Sequence, residues 1–135
     1  MNPLVVETTL QTAFAASAFP TTQIYLGTDY QELTPESLNL IISVAQLDHV
    51  VGDTHKAQVT VKIVSPALLG ADSKTEMVTT INAVRSALTS SYLSTNWPTG
   101  SGIPTFGGVW ITGAKCSQDS HTWVADVDAV IGVSE

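Results

Sequence analysis

Ala57-Gln58-Val59-Thr60-Val61-Lys62-Ile63 alternates apolar and polar residues without a break, which is the two-residue period of a β-strand with one buried face. Leu38, Leu40, Ile42 and Val44 alternate in the same way with Asn39, Ile41, Ser43 and Ala45. Between the two runs lies Asp48-His49-Val50-Val51-Gly52-Asp53-Thr54-His55, whose glycine and two aspartates are turn chemistry. The expectation is an antiparallel hairpin with a loop over residues 48–55 that projects from the body.

After Pro66 and Gly70 the period changes. Met77, Ile81, Val84 and Leu88 recur at helical spacing, and Ser73 stands three residues before Glu76 in a capping-box pattern. This predicts a helix over residues 73–92, ending before Asn96-Trp97-Pro98. Residues 99–108 carry Gly100, Gly102, Pro104, Gly107 and Gly108 and read as a long loop. Two further alternating runs, residues 109–116 and 121–133, then close the chain around Ser117-Gln118-Asp119-Ser120. In the last run Trp123, Ala125, Val127, Ala129, Ile131 and Val133 share a face opposite Asp126 and Asp128. Upstream, Val6, Leu10, Ala13 and Phe14 mark a first helix over residues 3–18, with Pro3 at its entrance and Pro20 beyond it. The polar stretch around Asp29, Tyr30, Glu32 and Pro35 is mostly loop, with room for a short edge strand over residues 23–26.

The fold class read from this order is α+β. A single mixed or antiparallel sheet of about four strands carries two helices on one face, in α-β-β-α-β-β order. At 135 residues the chain fits one domain spanning 1–135.

Composition narrows the function. Charged residues are only 13% of the chain, against ~25% in ordinary soluble domains, and the formal net charge is −7. The five basic residues, Lys56, Lys62, Lys74, Arg85 and Lys115, are scattered, so no basic patch exists to hold nucleic acid. An acidic wall still lets a polyanion slide past. The single cysteine, Cys116, cannot form an internal disulfide, and no signal-peptide pattern opens the chain, so synthesis in a reducing cytoplasm is expected. No apolar run approaches the ~20 residues of a membrane helix.

Chemical constellations are weak. His49 and His55 with Asp48 and Asp53 offer imidazole and carboxylate donors, but their spacing matches no metal motif, and solvated loop residues are the simpler reading. Cys116 with His121 would make a nucleophile and base, although a cysteine near a strand end is ordinarily a packing residue. Asp126 and Asp128 share a strand face without the deep pocket that acid/base catalysis needs. The expectation is no catalytic residue, no metal and no cofactor. Among the tryptophans, Trp123 reads as core, and Trp97 and Trp110 read as interface anchors.

The outward set of the strands is less polar than one solvated face requires. Ile41, Val64, Trp110, Val124 and Val130 all fall on it, which points to cover by another subunit.

The N-terminal helix, the 38–44 and 57–63 hairpin, the Glu76 to Leu88 helix and the Trp123 to Val133 strand together resemble the tail terminator (tail completion) proteins of long-tailed bacteriophages. The resemblance implies a homo-oligomer, a hexameric ring that caps the tail tube and docks the head-tail connector or stopper protein. It implies location in the tail or neck of the virion after assembly in the host cytoplasm, with DNA passing through the lumen without specific binding and no membrane partner. It carries no catalytic residues. In that setting Ile41, Val64, Trp110, Val124 and Val130 are candidate subunit contacts, and Asp48, His49, Asp53, His55, Trp97 and Phe106 are candidate contacts between rings. The competing readings are another neck or connector protein, a small cytoplasmic ligand-binding domain and, last, a hydrolase.

Overall fold

A computed structural model describes residues 1–19, 23–27, 39–65, 71–119 and 122–135, the side chains of 23, 71–73, 118, 119 and 122 excepted. Eight elements follow in order: α1 (Pro3–Ala16), β1 (Gln23–Leu26), β2 (Asn39–Val51), β3 (Thr54–Val64), α2 (Ala71–Ala87), α3 (Ser90–Asn96), β4 (Thr105–Asp119) and β5 (Thr122–Ser134). The class is α+β with a single sheet, as expected; of the mixed and antiparallel arrangements it is the mixed one, and among the described residues it has five strands and three helices where about four and two were expected. Strand order is β1-β2-β3-β5-β4, with β1 parallel to β2 and every other pair antiparallel.

Local chemistry explains most of the boundaries. Asn2 caps α1 by accepting the Leu4 N–H at 2.9 Å, and Pro3 stands in the first turn, where no N–H partner is needed. The hairpin of β2 and β3 is tighter than the sequence suggested. Asp48 pairs with Lys56 and His49 with His55 in the ladder, so the turn shrinks to Gly52-Asp53, with Gly52 at a left-handed φ of 54°. The tip does not project either, because Thr54 pairs with Ser134 and Ser134 with Thr105. The polar residues at 48, 49 and 55 occupy solvent-reached strand positions and not a loop.

The long helix divides in two. Thr89 leaves helical geometry, with φ −123° and ψ 155°, and its side chain accepts the Tyr92 N–H at 3.2 Å to start α3. The Thr89 hydroxyl also donates to the Ser86 carbonyl at 2.9 Å, so its side chain competes for the backbone on both sides of the break, which is why one helix does not run on to 92. Because α2 begins at Ala71, Ser73 lies inside the first turn and is not the cap. β4 starts at Thr105, inside the segment read as loop, and Gly107 marks a register shift between Phe106 and Gly108, a glycine bulge in a strand rather than a turn. Asp29, Tyr30, Glu32, Pro35, Leu38, Pro66, Gly70 and His121 lie outside the described residues.

One hydrophobic cluster joins the helices to one face of the sheet. Val6, Leu10, Ala13 and Phe14 of α1, Met77 and Val84 of α2, and Leu93 of α3 pack with Leu40, Ile42, Val59, Val61, Ile63, Val127 and Ile131. The end of α1 is tied to α3 by the Tyr92 hydroxyl, which donates to the Ala13 carbonyl at 2.7 Å and accepts the Ala18 N–H at 2.9 Å. Glu7, buried in α1, accepts the Gly27 N–H at 3.3 Å just beyond β1.

Candidate functional site

Because β3, β5, Leu40 and Ile42 give alternate residues to the core, the intervening residues form the opposite face. Among the described residues no helix packs on it. Reading from β4 through β5 and β3 to β2, its rungs are Ser117-Val124-Val64-Asn39, Lys115-Asp126-Lys62-Ile41, Gly113-Asp128-Thr60-Ser43, Trp110-Val130-Gln58-Gln46 and Gly108-Gly132-Lys56-Asp48.

The centre of this face is polar and largely self-satisfied. Thr60 donates to Asp128 Oδ1 at 2.7 Å, and Asp48 accepts from Gln46 at 2.6 Å and from Gln58 at 3.4 Å. Lys62 Nζ stands 3.7 Å from Asp126 Oδ1, close enough for ionic attraction but not for a hydrogen bond, and that oxygen has no hydrogen-bond partner. With Lys62 half exposed, such a pair contributes at most ~1 kcal/mol.

One end is different. Trp110 is 47% exposed, and Lys56 Nζ lies 5.5 Å from its ring centre. Val50, Lys56, Gly107, Gly108, Trp110 and Gly132 line a shallow groove there. A Cβ at Gly108 would meet nothing within 4 Å, so the floor beside the indole is bare backbone open to a partner. Val50 and Val51 add exposed apolar surface at the same end.

The anticipated contact set is therefore only partly assembled. Val64, Trp110, Val124 and Val130 do lie on the open face. Ile41 shares their register but is 4% exposed within the single chain, so it is buried on this face, outside the helix-side cluster, and is not an available contact. The face is also not uniformly apolar: two rungs bearing Lys115, Asp126, Lys62, Asp128 and Thr60 separate the Val64 and Val124 pair from the Trp110 and Val130 pair. Asp48, His49, Asp53 and His55 gather at the tight turn. Trp97 is a correction, and Phe106 is only partly buried against it. Trp97 is 8% exposed, donates its indole N–H to the Pro104 carbonyl at 2.8 Å and packs on Phe106 at 5.4 Å, so the two hold the 97–104 connection from inside. Trp123, taken as core, packs at its margin with Lys74 Nζ 5.9 Å from the ring.

No family model matches the chain, and no curated protein matches it. Among the described residues no group of three or more His, Cys, Asp or Glu side chains converges as a metal cluster. Cys116 is exposed on β4, and its imagined partner His121 is not described. Asp128 lines a depression on the open face with Gln58, Thr60, Thr112 and Val130, and its Oδ1 is taken by the Thr60 hydroxyl, while Asp126 lies one rung away beside Lys62. Among the described residues no helix is long and apolar enough to cross a membrane. What sequence reading missed was the glycine floor beside Trp110 and the cross-strand meeting of His49 and His55. Both depend on pairing register, which spacing along the chain does not carry.

Proposed function

We propose that this protein is a structural subunit of virion assembly, a tail terminator that forms a ring on the tail tube and presents a surface to the head connector. The observation that carries the reading is the open sheet face ending in a half-exposed Trp110 beside a glycine-floored groove. A large aromatic next to bare backbone is the anatomy of an interface anchor and its socket. The weakly charged, acidic composition supports the same reading: it suits a subunit largely covered by partners whose lumen must let DNA pass without holding it.

In this reading Trp110 and Val130 contact the adjacent subunit, and the Gly52-Asp53 turn with its neighbours faces the next ring or the connector. The chemistry is docking alone, with no catalytic residue and no cofactor. Solution mass and negative-stain images of the purified protein test it. A closed six-fold ring is the expected result, whereas a monomer at high concentration, or one whose melting responds to a metabolite, overturns it.

A further inference from the structure

The spacing of His49 and His55 along the chain matches no metal motif, but the ladder sets them directly opposite each other on β2 and β3. Their ring centroids are 5.3 Å apart and their planes cross at 70°. His49 Nε2 lies 2.7 Å from the Gly52 carbonyl and His55 Nδ1 lies 3.2 Å from the Asp53 carbonyl. A carbonyl oxygen only accepts, so each of those nitrogens carries the ring proton in these bonds. The lone pairs that remain are on His49 Nδ1 and His55 Nε2.

An imidazole that donates one N–H to a backbone carbonyl and keeps its other nitrogen bare is the usual second-sphere arrangement of a metal-bound histidine. The separation fits as well. For two imidazoles on one tetrahedral ion, a metal–nitrogen bond of about 2.05 Å and a centroid about 1.15 Å behind the nitrogen place the centroids ~5.2 Å apart. A right-angled pair, as in octahedral coordination, would need ~4.5 Å.

We propose that His49 and His55 form a two-imidazole site for a tetrahedral divalent cation of the zinc class. His49 is exposed and His55 half-exposed, so an ion has access from solvent. No third protein ligand converges among the described residues. Glu135, whose backbone N–H donates to the Asp53 carbonyl, lies nearby, but its carboxylate is held by the Met1 ammonium at 2.7 Å. Water completes the sphere, which makes this a weak, exchangeable site and not a structural one. The proposal does not depend on the assembly reading.

Zinc titration of the purified protein, followed by calorimetry and by the imidazole nitrogen shifts in a proton–nitrogen correlation spectrum, tests it. One zinc per chain should bind and shift His49 Nδ1 and His55 Nε2. His49→Ala and His55→Ala should each abolish binding while the circular dichroism stays unchanged. Cys116→Ser and His121→Ala should bind as the parent does. Absence of binding at millimolar zinc overturns the proposal, as does binding that survives loss of either His49 or His55, or that disappears with Cys116 or His121.

Discussion

Replacing Trp110 with alanine removes the anchor of the proposed contact while leaving the core untouched. With Trp110 47% exposed in the single chain, and a full tryptophan surface of about 250 Å², roughly 120 Å² remains for a partner to bury. At ~25 cal/mol per Å² that surface is worth ~3 kcal/mol per contact, about a hundredfold in the association constant. The buried half of the indole also packs within the monomer, so Trp110→Ala should lower the melting temperature by a few degrees at most while the variant stays folded. Sedimentation velocity across a concentration series reads the association directly. The expected result is a folded Trp110→Ala chain that needs about a hundredfold more protein to assemble, with Lys62→Ala, on the polar rungs, close to the parent. A folded Trp110→Ala chain that assembles at parental concentration would refute both the area argument and the choice of this end of the face.

Tyr92→Phe deletes the hydroxyl that joins the end of α1 to α3, with bonds of 2.7 Å to the Ala13 carbonyl and 2.9 Å from the Ala18 N–H. Urea unfolding should show a loss of about 1–3 kcal/mol with an unchanged m value, and parental stability would mean the hydroxyl is replaced by water at no cost. Gly27→Ala should cost about 1–3 kcal/mol by overpacking, because a Cβ there would lie 2.6 Å from Ser43 Oγ, and adding Ser43→Gly should restore much of the loss.

The period-two runs disclosed β3 and β5 because their buried residues alternate, and Val59, Val61, Val127 and Ile131 all reach the core as that period requires, whereas in β2 Asn39, Leu40, Ile41 and Ile42 are buried in succession. The short edge strand at Gln23–Leu26 was legible only as an option, since four residues hold no period. Polar residues misled at both ends of the strands. Asp48 and His49 belong to the ladder because an exposed strand position accepts them, and Gly107 belongs to a bulge and not a loop. Trp97 reads as an interface anchor in the sequence but is buried in the fold. Its indole N–H finds a partner seven residues on, at Pro104, a bond that pattern alone does not reveal. Of the outward apolar residues, Ile41 could not be separated from Val124 by parity. Both share the face, and only neighbours in space decide which one remains open.

The place of β5 inside the sheet bears on how the chain reaches this structure. It is the last of the five strands in sequence order, yet it lies between β3 and β4 and contributes Ala125, Val127, Ala129, Ile131 and Val133 to the core. Its bond to β3 between Thr60 and Asp128 spans 68 residues. The β2–β3 hairpin can close locally, but pairing the other edge of β3 with β5 must close a loop that contains α2, α3 and β4. Loop closure over that distance slows the search. Until β5 arrives, β3 presents a bare edge flanked by Val59, Val61 and Ile63, so the late-folding ensemble, and not the finished subunit, is where unwanted strand pairing is most readily captured.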